Sequence, residues 1–353
     1  MYISDDGLTK IYEKDITHVC VAPSLFPLLQ YLLLVDEYTA RNHTYYFFNE
    51  VIPFSIRKRV VCTYLPNQKD NSILIAIKKR IHKLLITFFK TIKYPFIRKA
   101  HIYAFDYTTL SLYIGNKNYD LLSDAPHCIT YNMQEDSEEY IRQTARHKTI
   151  QWWIQKMVYG DIYVKYYGNN KWCDVIHLTE KNRSPILKEK KTSIRSLEDL
   201  WSAASKSKKE YILSLFDVSQ RDIKKLNSKP IIFFTQPLME DCHLSEEEYL
   251  NLLNRLFEHY NHQDILIKTH PRDTFDYSKY FSKMPVYSKS VNSQLLKLIG
   301  LTPKRVVTFF SSAVEIFPET IECDCYGTDI HPKVYTMYGS SYQLQRAVNK
   351  MTL

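Results

Sequence analysis

Residues 264–273 read Asp-Ile-Leu-Ile-Lys-Thr-His-Pro-Arg-Asp. The short apolar run Ile265 to Ile267 predicts a buried strand. It ends in Lys268-Thr269-His270-Pro271-Arg272, which sets two cations and a histidine at the strand's C-terminal end, on a turn stiffened by proline. In α/β folds, ligands bind in the crevice beyond the carboxyl ends of the strands. Further along, Val306-Val307-Thr308-Phe309-Phe310 repeats the strand signal and runs into Ser311-Ser312-Ala313-Val314-Glu315, the pattern of a helix start. Serines cap exposed amides at such a start, and a helix N-terminus attracts phosphate. A His-Pro pair alone is usually a turn, and a Ser-Ser pair alone is usually a cap. Both together, at neighbouring strand ends, point to a ligand that carries phosphate.

Working outward, Ser228-Lys229-Pro230 precedes a clear strand, Ile231 to Thr235. Strand 231–235, helix 245–260, strand 264–268, helix 291–300 and strand 305–310 make one α/β unit. Ser245 followed by Glu248 is a capping box for its first helix. The N-terminal part alternates in the same way. Strands are expected at His18 to Val21, Tyr45 to Phe48, Ile102 to Phe105 and Cys128 to Tyr131. An apolar helix runs from Ala22-Pro23-Ser24 through Val35, and Leu197 to Leu215 is helical in pattern. The acidic cluster Gln134-Glu135-Asp136-Ser137-Glu138-Glu139 follows the strand at 128–131. The expected division is residues 1–225 and 226–353, two Rossmann-like α/β domains facing a central cleft.

At 353 residues, with 45% hydrophobic and 14% aromatic content, the chain is long enough for two ordered domains. It has only 7 glycines and neither the GxGxxG nor the GxxxxGK[ST] pattern, so the common dinucleotide and P-loop fingerprints are absent. The cysteines at 20, 62, 128, 173, 242, 323 and 325 are odd in number and dispersed, which fits reduced thiols in a cytoplasmic protein and no zinc site. No basic leader precedes an apolar core at the start, and no apolar run is long enough to span a bilayer. The net charge of +9 calls for a partner, but no nucleic-acid-binding motif accompanies it. Residues 73–99 carry apolar residues at helical spacing and basic residues at 78, 79, 80, 83, 90, 93, 98 and 99, with no acid. Two readings stand: an interfacial helix that docks on an anionic membrane, or a core helix with a solvated basic face. Nothing in the pattern fixes an oligomeric state.

Two α/β domains with a ligand-anchoring second half suggest a GT-B glycosyltransferase. The chain resembles the bacterial sialyltransferases of glycosyltransferase family 52, and more loosely other bacterial sialyl- and polysialyltransferases. Those families combine an acidic motif ending in glycine in the first domain with a His-Pro and a Ser-Ser motif in the second. Here His270-Pro271 and Ser311-Ser312 match the last two, and Glu135-Asp136-Ser137 stands where the acidic motif is expected. Thr235-Gln236-Pro237-Leu238 is a further family-like element. The resemblance implies CMP-sialic acid as donor, a glycan acceptor that is lipid-linked or otherwise on the bacterial surface, inversion, and no metal or other cofactor. It also implies Asp136 as base, His270 assisting the leaving phosphate, and Lys268, Pro271, Gln236, Gln294, Ser311 and Ser312 on the donor. Ser137 replaces the motif's glycine, and Gln294 stands where relatives often carry a glutamate on the ribose. Another nucleotide sugar, such as a glucosyl donor, and a non-catalytic basic membrane-surface protein are the alternatives. A letter-perfect Asp5-Asp6-Gly7 precedes the first strand and reads as a polar terminus.

Overall fold

The structure is a computed structural model, and it describes residues 1–65, 73–124, 149–161, 165, 167–180, 190–339 and 348–353. The chain forms two compact units, Met1–Leu215 and Phe216–Leu353.

The first unit opens with a two-stranded hairpin, β1 (Tyr2–Ile3) and β2 (Lys10–Ile11). Its turn contains Asp5-Asp6-Gly7. Asp6 accepts from the Ser4 hydroxyl at 2.6 Å and the Leu8 amide at 3.0 Å, and Gly7 takes φ +72°. That acidic triplet therefore closes a turn.

A seven-stranded parallel sheet follows: β3 (His18–Ala22), β4 (Thr44–Asn49), β5 (Cys62–Leu65), β6 (His101–Ala104), β7 (Tyr119–Leu121), β8 (Cys173–Leu178) and β9 (Thr192–Ile194). Its order is β5-β4-β3-β6-β7-β8-β9, so the order reverses between β3 and β6. Val19 and Val21 of β3 are buried on one face and Cys20 and Ala22 on the other, as a parallel sheet covered on both sides requires. Helix Leu25–Leu34 covers one face, with all but its last residue buried. Pro27 is tolerated there because it lies in the first turn, whose amides have no intrahelical partner anyway. The expected single helix at 197–215 is two, Leu197–Ala203 and Lys206–Leu215. The strand expected at 128–131 lies outside the described residues.

The second unit holds a six-stranded parallel sheet: β10 (Ile231–Phe234), β11 (Ile265–Lys268), β12 (Val286–Tyr287), β13 (Arg305–Thr308), β14 (Glu322–Cys325) and β15 (Asn349–Lys350). Its order, β12-β11-β10-β13-β14-β15, reverses between β10 and β13. Helix Glu246–Phe257 starts on the expected capping box. Ser245 Oγ accepts from the Glu248 amide at 3.1 Å, and the Glu248 carboxylate accepts from the Ser245 amide at 2.7 Å. Phe233, Leu253, Leu256, Ile267 and Phe309 lie in the core of this unit. Both units are therefore Rossmann-like, as the sequence pattern leads one to expect.

Candidate functional site

Strands β10, β11 and β13 end level with one another. Phe234 pairs with Lys268 on one side and with Thr308 on the other. The segments leaving these ends hold Thr235-Gln236, His270-Pro271 and Ser311-Ser312 at the sheet's switch point, where α/β ligands bind.

Hydrogen bonds tie the three segments together. Thr235 Oγ1 accepts from the His270 amide at 2.9 Å and donates to the Asp273 carboxylate. Asp273 also accepts from the Tyr277 hydroxyl at 2.8 Å and the Phe275 amide at 3.2 Å, and its burial raises its pKa. The buried Tyr249 hydroxyl lies 2.6 Å from that of Tyr277 and 3.2 Å from the Gln236 carbonyl. Gln236 Oε1 accepts from the Phe310 amide at 3.0 Å, which bridges the ends of β10 and β13. Pro271 occupies the second position of a turn closed by the Asp273 amide on the His270 carbonyl at 3.0 Å, where proline's fixed φ is favoured.

His270 Nδ1 accepts from the Arg272 amide at 3.1 Å. That assigns the proton of the neutral ring to Nε2 and makes Nε2 a donor. Burial, with the cations Arg272 and Lys268 nearby, pushes the imidazole down to about 4. At neutral pH the ring is therefore uncharged, so the ordinary histidine pKa does not apply in the free protein. The Lys268 ammonium is buried, donates to the Thr269 carbonyl at 2.7 Å and lies 5.7 Å from the Tyr287 ring centroid. Burial brings it down to about 7.

Ser311 and Ser312 do not open an α-helix as expected. Ser311 caps a five-residue 3-10 helix, Ser312–Ile316, and its Oγ accepts from the Ala313 amide at 3.2 Å. One short turn sums few peptide dipoles, so its contribution to anion binding is hydroxyls and amides more than a macrodipole. The Ser312 side chain is exposed. Helix Ser293–Leu298, capped by Asn292, packs on this turn and carries Gln294 near its start. The structure thus gathers Gln236, Lys268, His270, Pro271, Ser311, Ser312 and Gln294 in the second unit. Asp136 lies outside the described residues.

Several polar residues here carried no sequence signal. Asp241 forms a bidentate pair with Arg272, at 2.5 and 2.8 Å, and accepts from the Tyr338 hydroxyl at 3.2 Å. Glu240 Oε1 accepts from the Thr274 amide at 2.9 Å and from its hydroxyl, while Oε2 is buried with no hydrogen-bond partner among the described residues. Both carboxylates thus flank the His270 turn. Among the described residues no cluster of three or more His, Cys, Asp and Glu side chains is arranged to hold a metal ion.

Among the buried polar groups of the first unit, Asp106 and Asp120 are two carboxylates with several partners each. Asp106 follows β6 and accepts from the amides of Tyr167 and Gly168, each at 2.8 Å, and from the Tyr119 hydroxyl at 2.6 Å. Tyr167 and Gly168 both have positive φ, so their amides converge on the carboxylate. Burial outweighs these bonds and lifts Asp106 to about 6. Asp120 lies 3.1 Å from His101 Nε2 and 3.3 Å from His177 Nε2, and those bonds outweigh burial and hold it at about 2. Near the end of β3, Ser24 donates to Asp124 at 2.5 Å.

Two Rossmann-like units, one with a donor-rich edge at its switch point, make a fold of the GT-B type. The profile of glycosyltransferase family 52 matches residues 35–334, and the chain belongs to that family. It is similar to an uncharacterized protein of Haemophilus influenzae, 26% identical over 314 residues, covering 89% of this chain and 95% of the other. Among solved structures it is similar to an α/β-galactoside α-2,3-sialyltransferase of Photobacterium phosphoreum, with TM-score 0.54 and 13% identity, covering 97% of this chain and 99% of that one. A second is a 2,6-sialyltransferase of a Photobacterium species in a ternary complex with the donor product CMP and the acceptor substrate lactose. There the TM-score is 0.53 and the identity 14%, covering 94% of this chain and 78% of that one. At these identities the likeness to solved structures is one of fold.

Proposed function

We propose that the protein is a sialyltransferase, moving sialic acid from CMP-sialic acid to a hydroxyl of a surface glycan, with galactose as the acceptor sugar. One observation carries this reading: His270, Gln236, Ser311 and Ser312 meet at the switch point of the second sheet, a site rich in hydrogen-bond donors. Family membership and the fold shared with sialyltransferases support it. The ternary complex of the Photobacterium 2,6-sialyltransferase with CMP and lactose supplies the donor and acceptor classes.

In the proposed reaction the acceptor oxygen attacks the anomeric carbon as the bond to the CMP phosphate breaks. Attack and departure occur on opposite faces, so configuration inverts. The bonding electron pair goes to a phosphate oxygen. His270 Nε2–H donates to that oxygen, more strongly as its charge grows, which is the condition for catalysis. The arriving dianion also raises the affinity of the depressed imidazole for a proton. Ser311, Ser312 and backbone amides hold the phosphate, Gln294 the ribose, and the Lys268 ammonium adds charge from beneath. Asp136 takes the acceptor proton, a step worth on the order of 10²–10⁴-fold. No step in this scheme uses a metal ion.

A second assignment of the base has an observation behind it: the buried Oε2 of Glu240, beside the His270 turn, has no hydrogen-bond partner among the described residues. Mixing the protein with CMP-sialic acid and measuring released CMP tests the donor. Release of a different nucleotide, from a glucosyl donor, identifies another GT-B transferase, and no release from either points to a non-catalytic protein. Asp136→Asn is expected to abolish transfer and spare CMP binding. The same outcome from Glu240→Gln alone moves the base to Glu240.

A further inference from the structure

Two helices of the first unit carry their apolar residues outward. In helix Ile73–Lys93, Leu84, Leu85, Phe88, Phe89 and Ile92 are exposed, Phe88 at 64% and Ile92 at 70%. Their spacing of three and four residues puts them on one stripe. The other side holds the helix to its unit. Ile86 is buried in the core, Lys90 Nζ reaches the Leu112 carbonyl, and the Tyr2 hydroxyl meets the Lys93 carbonyl at 3.4 Å. An ordinary surface helix turns its apolar stripe inward, and this one does the reverse. Helix Ile150–Tyr159 packs against it and repeats the pattern. Ile150, Trp153, Ile154 and Met157 are all exposed, at positions i, i+3, i+4 and i+7. Lys156 Nζ lies 5.1 and 5.5 Å from the Trp152 and Trp153 rings.

We propose that these two helices form a docking surface for an anionic lipid bilayer. Their apolar stripes would enter the interfacial region, and Lys78, Arg80 and Lys93, all exposed, would meet lipid phosphates. Charge decides the occupant. Residues 73–99 contain no Asp or Glu, so a second copy seated on this helix would oppose like charges, whereas an anionic leaflet neutralises them. Tryptophan and phenylalanine beside lysine suit the headgroup boundary. No described helix is long and apolar enough to cross a membrane, so the contact lies in the plane of the surface. The inference is independent of the donor and of the catalytic residues.

The test is sedimentation of the full chain with vesicles of equimolar phosphatidylglycerol and phosphatidylcholine, against phosphatidylcholine alone, at low and high salt. Binding to the anionic vesicles is expected, part of it surviving high salt, with tryptophan fluorescence quenched by brominated acyl chains. The pairs Phe88→Asp/Phe89→Asp and Trp153→Asp/Met157→Asp are each expected to lower partitioning about tenfold or more. Their circular-dichroism melting temperatures should stay within a few degrees of wild type. No binding at low salt, binding that high salt reverses completely, or unchanged partitioning of both variants would overturn the proposal. So would a dimer, seen by light scattering, that Phe88→Asp/Phe89→Asp dissolves while vesicles remain unbound.

Discussion

His270→Ala removes the Nε2 donor and the acceptor of the Arg272 amide in one change. A hydrogen bond to an oxyanion that develops in the transition state is worth about 2.7–4 kcal/mol, so kcat should fall about 10²–10³-fold. His270→Gln, whose amide reaches toward the Nε2 position, should recover part of that. A second consequence follows from the protonation state. The folded ring titrates near 4, below its ordinary value of 6.5. Between those values the unfolded chain binds a proton that the folded chain does not, so the wild type loses stability as pH falls through this window. At 1.36 kcal/mol per unit the loss is roughly 3 kcal/mol, and it is absent above the unfolded value. The variant lacks it. Urea unfolding of both proteins at pH 7 and near pH 4.5 should therefore show the variant gaining on the wild type by roughly 2–3 kcal/mol at the lower pH. Donor hydrolysis gives the turnover. Activity within tenfold of wild type, or stability profiles that stay parallel across the window, would refute the reasoning.

Lys268→Met should raise the melting temperature at pH 6 and weaken CMP binding. The ammonium titrates near 7 when folded, so its penalty is full below that value and fades as pH approaches 10.5. A lower melting temperature at pH 6 would contradict this. Asp106→Asn exchanges one of two acceptor oxygens for an NH2 donor, and since each oxygen takes a backbone N–H, one such bond is lost whichever way the amide turns; this should cost about 1–3 kcal/mol in urea unfolding without changing CMP affinity. Donor hydrolysis should persist in EDTA, and a strict requirement for Mn²⁺ or Mg²⁺ would point to a different chemistry.

The second unit was the more legible half because its central strands are short, almost purely apolar runs: Ile231-Ile232-Phe233-Phe234 and Ile265-Leu266-Ile267. Strands covered on both faces read that way, and the turns at their ends keep their chemistry in contiguous residues. Strands β7 and β8 were not legible. Asp120 and His177 interrupt them, and those polar residues make sense only once the fold brings them together across neighbouring strands. The support around His270 was hidden for a similar reason. Asp273, Tyr249 and Glu240 are separated along the chain, and no local pattern relates them. Helix 73–93 showed its amphipathic spacing plainly, but a pattern of spacing does not say which side meets the protein. The exposed Phe88 and Ile92 answer that.

The bridging bonds at the switch point also set its polarity. Gln236 Oε1 is occupied by the Phe310 amide, His270 Nδ1 by the Arg272 amide, and Ser311 Oγ by the Ala313 amide, while Lys268 has no lone pair when charged. His270 and the charged Lys268 therefore have only hydrogen to present to a visitor, and the Gln236 amide nitrogen and the two serine hydroxyls add further donors. The edge therefore favours molecules with an anionic surface before shape enters: a phosphonate or sulfonate can take several of these donors at once, whereas an amine or guanidine finds Asp241 already held by Arg272 and only Glu240 beside the turn to accept its protons. Competitive inhibitors should be sought among compounds whose polar end is made of acceptor oxygens alone.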